Sequence, residues 1–357
     1  MLQMVTYVRE GTTTSDGCEE GEILPGENSG VRAVVGSGAQ AFGALGVAAV
    51  FVALGGVYWD VTWHVVAGRE SFWIPPHLLI YSGTAVFFLS VAGALLLTIL
   101  RAGSFRATGR AGTGFVIGLL GSLIQVSAAP LDDLWHHRYG LDVTLWSPPH
   151  LMGLAGALIG VYGLIRALGT GMPGNERRAL LTVSEINVLL LFSAALALSM
   201  FALGPMDFRL EMRDFLFYPL LAGPLAAIPL VAAARYVGRF GAATAVALVY
   251  TLFRLLAMGI LIGMDAFENP APPVFLLLSA FAVDLVFLGK SRESRDILLV
   301  AIFFGPAFVL GEWAVLSQLG ATNWEPLEIV ASLATVTLAA AFGVLAGDRL
   351  QALLRSY

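Results

Sequence analysis

The 357-residue chain has a single cysteine, Cys18. That excludes an intramolecular disulfide and any cysteine-based metal site. Charge is scarce as well: Asp, Glu, Lys and Arg make up 13% of the residues, against roughly 25% in a soluble domain. No basic patch longer than a loop exists, so the net charge of −5 gives no reason to expect a nucleic-acid partner. Residues 1–37 are rich in Gly, Ser, Thr and Glu and hold no apolar core behind basic residues. They read as an acidic, flexible tail and not as a signal peptide.

What the chain has in plenty is hydrophobicity: 57% of residues are apolar and the mean hydropathy is +0.80. Its repeated apolar runs are each long enough to cross about 30 Å of hydrocarbon. They predict an all-α, polytopic membrane bundle of ten helices at 39–63, 77–100, 113–136, 149–168, 179–204, 216–236, 241–263, 272–289, 297–319 and 327–347. The basic residues sort by loop. One set holds Arg101, Arg106, Arg110, Arg166, Arg177, Arg178, Arg235, Arg239, Lys290, Arg292, Arg295, Arg349 and Arg355, the other only Arg69, Arg138, Arg209 and Arg213. The positive-inside rule then places both termini, tail included, in the cytoplasm of a multi-pass cell-membrane protein. Residues 38–357 form one transmembrane domain of hairpins closed on the outside, the first two within 38–168 and the rest within 169–357.

The outer loops of those first two hairpins repeat each other. WDVTWHVVAGRESFWIPPHLLIYSG aligns with DDLWHHRYGLDVTLWSPPHLMGLAG, with one inserted residue. Asp60, Trp63, His64, Gly68, Trp73 and His77 match Asp132, Trp135, His136, Gly140, Trp146 and His150. All five histidines of the chain, His137 included, lie here. Asp and His at i and i+4 share a helix face, one turn apart. Pro-Pro then opens the returning helix, where a missing N–H costs nothing, and places a second His in its first turn. Each hairpin thus brings one carboxylate and two imidazoles toward one point, a donor set for copper, zinc or iron and not for calcium or magnesium. An ionised Asp in the bilayer costs about 2.5–3.5 kcal/mol, and no lysine lies near Asp60 or Asp132, so a metal ion would compensate. An interfacial Trp/His belt is the bland alternative; it does not account for the matched spacing.

A weaker third copy, GEWAVLSQLGATNWEPLEIVASLA, has Glu312 at the Asp position and Leu316 and Glu328 at the His positions. All seven tryptophans fall in these three loops. Glu185, Arg254 and Asp284 are the other intramembrane charges, the last two placed so that they could pair.

Asp-x3-His-x12-His and Asp-x3-His-x13-His resemble the C subunit of particulate methane and ammonia monooxygenases over roughly residues 55–165. That family carries an Asp-x3-His-x12-His copper site followed by an Asn-x3-His-x13-His site. The resemblance implies one copper ion on Asp60, His64 and His77 and another on Asp132, His136 and His150, with Asp132 in place of Asn. It further implies oxidation of a small apolar substrate by dioxygen, with separate monooxygenase-type subunits or further copies of the chain as partners. Asp133-x3-His137-x12-His150 offers a competing register. A non-catalytic copper- or zinc-binding or metal-transport protein is the alternative function, and a two-His, one-carboxylate iron site the alternative cofactor.

Overall fold

A computed structural model of the protein describes residues 35–66, 72–140, 146–173, 180–265, 271–287, 294–320 and 324–356. The expected acidic tail, with Cys18, lies almost wholly outside them. Among these residues the regular structure is entirely helical: α1 (Ser37–Val66), α2 (Pro75–Ala102), α3 (Gly109–Tyr139), α4 (Pro148–Leu168), α5 (Val183–Phe201), α6 (Pro205–Phe208), α7 (Phe217–Val237), α8 (Ala242–Gly263), α9 (Leu277–Val286), α10 (Ser294–Gln318) and α11 (Pro326–Arg355). Nine of these are long and apolar enough to cross a membrane. Large apolar side chains such as Leu89, Leu96, Leu120, Leu338 and Phe342 stand outward on the bundle. In water such a surface would associate; here it faces lipid, and the protein is a multi-pass membrane protein.

Local signals set the helix ends that matter for the site. α2 and α4 each start on a Pro-Pro pair at their first two positions, where the absent N–H has no helical partner to lose. α2 ends on Gly103 in the left-handed region, φ 76°. α5 opens with a capping box in which Thr182 and Glu185 exchange hydrogen bonds.

α5 is the central helix, with Val188, Leu191, Phe192 and Ala194–Ala197 fully enclosed. α1 and α4, one helix from each of the first two hairpins, pack against it together with α7 and α8, while α7 lies longest against α11. The α3/α4 contact is backbone on backbone. A Cβ added at Gly121 would sit 2.2 Å from the Gly160 nitrogen, and one at Gly163 would sit 2.4 Å from the Gly118 nitrogen. Small residues permit this approach, and without a hydrophobic drive in lipid it is dispersion that holds such a pair together. The short connection between α2 and α3 leaves the C-terminal ends of α1 and α3 and the N-terminal ends of α2 and α4 at the same end of the bundle.

The helix expected at 272–289 is only ten residues long, Leu277–Val286, behind a non-helical approach over 271–276. Pro272 and Pro273 explain this, since neither can donate to a helical ladder. The segment nonetheless runs along α8. Ala271 N–H donates to the Phe208 carbonyl beside Leu261 near one end of that helix, and Asp284 reaches the amides of Ala243 and Thr244 at the other. Unwound backbone at membrane depth is tolerable only where protein groups satisfy it. The Phe275 N–H donates to Glu312 Oε2 at 2.7 Å, and Arg213 Nη2 donates to the Pro272 carbonyl at 2.7 Å.

Candidate metal centre

The last two turns of α3 and the first turn of α4 build the tighter cluster. Asp132 and His136 stand one turn apart, and His136 Nε2 lies 3.3 Å from Asp132 Oδ1. The Pro-Pro start of α4 presents His150, whose Nε2 lies 3.4 Å from the same oxygen. One donor atom from each of the three residues falls within 4.8 Å of the other two, and among the described residues this is the group of acids and histidines so arranged. The far side of each imidazole is held. His136 Nδ1 is 3.1 Å from the Gly140 carbonyl oxygen, and His150 Nδ1 is 2.8 Å from Ser147 Oγ. A carbonyl only accepts, so His136 Nδ1 is the donor to Gly140 and Nε2 is the nitrogen turned to the carboxylate. Two nitrogens and one oxygen, with the remote nitrogens oriented by hydrogen bonds, suit copper, zinc or iron(II).

The related cluster on α1 and α2 is less complete. His77 Nε2 lies 3.1 Å from Asp60 Oδ1, and His77 Nδ1 is 3.0 Å from the Phe72 carbonyl oxygen. Asp60 Oδ1 is buried and makes no aligned hydrogen bond among the described residues, although an imidazole nitrogen is this close. His64, expected as the third member, has Nδ1 2.8 Å from the backbone oxygen of Asp60 and 3.6 Å from its Oδ1. Asp60 and His77 are thus brought together, and His64 lies beside them with its ring turned to its own helix. Phe72 and Tyr81 flank His77, at ring-centre distances of 6.4 and 5.7 Å.

No family model, curated protein or solved structure matches the chain. The functional reading therefore rests on the chemistry of these side chains.

Of the two registers open for the second loop, the geometry takes the one through His136. The His137 side chain is 75% exposed, and its Nδ1 bonds the Asp133 carbonyl at 2.7 Å, one position round the helix from His136. Ser147 was not among the residues expected at the site. Its only sequence signal is a hydroxyl immediately before Pro-Pro, where the first loop has Ile74. Trp146 Nε1 donates to the Ala202 carbonyl at 3.0 Å and ties this loop to the end of α5.

The degenerate third copy has another use. Glu312 accepts from Arg213 Nη1 at 2.8 Å and from the Tyr218 hydroxyl at 2.7 Å, fully enclosed. Burial opposes the charge on Arg213, but Tyr218, Glu312 and then Asp207 outweigh it and raise the guanidinium above its ordinary pKa. Glu328 closes a capping box with Glu325 at the start of α11. The expected pairing of Arg254 with Asp284 does not form. Asp284 accepts from the Ala243 and Thr244 amides at 3.1 and 2.8 Å, at the positive end of α8. Arg254 is ten residues further along α8, about 15 Å away at helical rise. Its guanidinium lies 4.1 Å over the Tyr58 ring and 3.4 Å from Asp207 Oδ1.

Proposed function

We propose that this protein is a membrane metalloprotein that binds a transition-metal ion through Asp132, His136 and His150 at the extracytoplasmic side, with Asp60, His64 and His77 as a second site. Copper is the metal we favour, and the reaction class is dioxygen-dependent oxidation of a small apolar substrate, as in the monooxygenase C subunits that the two loops resemble. The observation that carries the reading is the convergence of three donor atoms within 4.8 Å, with His136 and His150 each held at the opposite nitrogen. A reduced copper ion would supply dioxygen activation. The chain supplies the donor set, holds the imidazoles of His136 and His150, and sets the rings of Phe72 and Tyr81 against His77. Substrate and any partner subunit would reach the site through or within the bilayer. The outward orientation follows from the sorting of Arg and Lys among the loops.

Transport of the metal across the membrane has less support. Glu185 is spent on a helix cap and on Arg239 at 2.8 Å, and Asp284 on the start of α8. Neither extends a ligand path inward.

The test is elemental analysis of purified protein reconstituted with copper, zinc or iron. Wild-type and His137→Ala proteins are expected to retain metal, and His136→Ala to lose it from the second site. Copper-loaded protein with a reductant is expected to consume dioxygen, and zinc-loaded protein is not. Wild-type protein that binds none of the three metals would overturn the reading.

A further inference from the structure

We infer that the arginine-bearing ends of α3, α4 and α11 form a binding site for one phospholipid with an anionic headgroup, taken from the cytoplasmic leaflet. The site lies at the opposite end of α4 from His150 and is independent of the metal-binding reading.

α11 packs along α7 and α10 and makes a far shorter contact with α4. Arginines and the carbonyls that end α11 build that contact. Arg166 Nη1 donates to the Leu353 carbonyl at 2.7 Å, and Arg166 Nε donates to Thr113 Oγ1 at 3.3 Å. Arg110 Nη1 donates to the Arg355 carbonyl at 3.3 Å, and Arg355 Nη2 donates to the Tyr236 carbonyl at 2.6 Å. The Tyr236 hydroxyl feels the charge of all three arginines, so three helices bring their guanidinium groups to one place. Helix-end carbonyls suit cations, but their negative charge is partial and each guanidinium carries a whole positive one. Asp348, the nearest acid along α11, is engaged with Arg235 of α7 at 3.0 Å. A phosphate is the anion that guanidinium groups match best, by paired N–H···O bonds.

Beside these groups lies an open cavity of about 430 Å³, with Ile117, Ile159, Tyr162, Leu353 and Arg166 in its walls. The sequence gives it two unlike ends. Arg110, Thr113 and Ile117 are spaced i, i+3 and i+7 on α3, and Ile159, Tyr162 and Arg166 repeat that spacing on α4. Each set lies on one helix face. The two helices run antiparallel, so both stripes carry arginine at the same end and isoleucine about 10 Å deeper in the bundle. Ile117 and Ile159 stand exposed, and walls this apolar give water few of the hydrogen-bond partners it needs. Hydrocarbon suits the isoleucine end and phosphate the arginine end, and a phospholipid supplies both in one molecule. The sorting of Arg and Lys turns this end to the cytoplasm, whose leaflet offers anionic lipid to basic groups. The acidic tail is the rival anion, but it has no long apolar stretch to lay along the isoleucines.

The experiment is native mass spectrometry and thermal unfolding of the full-length protein in detergent. Phosphatidylglycerol, phosphatidylcholine with the same chains, and glycerol phosphate are titrated in turn, a comparison that needs wild-type protein alone. One phosphatidylglycerol is expected to stay bound and to raise the unfolding midpoint more than phosphatidylcholine does, while glycerol phosphate does neither. Arg110→Gln should weaken that lipid about fivefold, the effect of one cation lost near a membrane surface, and Arg110→Lys should restore it. Ile117→Trp should weaken it by filling the groove, with every charge kept. A photo-crosslinking residue in place of Ile117, irradiated in native membranes, should yield an adduct with the mass of an anionic phospholipid. No retained lipid, equal binding of the two lipids, full stabilisation by glycerol phosphate, unchanged affinity in Arg110→Gln, or cross-linking to the protein's own tail would each overturn the proposal.

Discussion

At the scale of single residues, the centre is a matter of which atoms face which. Imidazole must shed a proton from the ligating nitrogen to bind a metal, so uptake competes with protons. Zinc or copper affinity at Asp132, His136 and His150 is expected to fall as the solution is made more acidic. Chelator competition measured between pH 8 and pH 5 would show it, and a flat profile would mean that the histidines are not the donors. Much of this centre was legible in the chain, because Asp-x3-His on one helix and a His just after Pro-Pro on the next leave little freedom in where the side chains meet. The register through His136 could be read from the Trp-His alignment. Ring orientation could not. Whether His64 turns Nδ1 or Nε2 inward depends on a carbonyl four residues back, and spacing alone cannot distinguish that arrangement from the one at His136.

At the scale of helices, the site is held by how closely α3 and α4 approach. Gly121 lies eleven residues before Asp132, about 16 Å along the axis, and its missing side chain lets Gly160 come into backbone contact. Gly121→Leu is expected to force the pair apart, costing at least about 1–3 kcal/mol from overpacking. It should lower metal affinity at Asp132, His136 and His150 while helicity is kept. Circular dichroism and metal titration on the same sample separate the two effects. Nine of the ten expected helices appear close to their expected positions, since a long apolar run that ends in Pro-Pro or Gly admits few other structures in lipid. The segment at 272–289 was misjudged as a full helix because hydropathy counts Pro272 and Pro273 as loop edge and ignores what satisfies the backbone behind them. Arg254 and Asp284 were likewise set together because sequence gives their helices and not their depths. Nor could the third loop disclose that Glu312 supports an unwound segment, since its partner Arg213 is 99 residues away. Arg213→Ala is expected to destabilise the protein by about 3–5 kcal/mol by leaving a buried carboxylate without its partner. Thermal unfolding in detergent would report it, and an unchanged midpoint would mean that the pair is dispensable.

For the whole molecule, orientation decides which compartment the two clusters face. The basic loops predict that Cys18, outside the described residues, is cytoplasmic and that the clusters face the opposite side. A membrane-impermeant maleimide is therefore expected to label Cys18 only after permeabilisation; labelling of intact cells would invert the arrangement. The short α9 carries a consequence for how the chain is made. Ten apolar residues fall well short of the roughly 20 with which a nascent segment enters the bilayer unaided. The groups that satisfy its non-helical approach include Phe208 and Arg213, synthesised earlier, and Glu312, synthesised later. Residues 271–286 are therefore expected to enter the membrane together with α10, once Glu312 has emerged from the ribosome. Membrane entry of this part of the chain is a joint event of two segments, and a ribosome stalled before Glu312 would hold an uninserted apolar stretch exposed to whatever quality control surveys it.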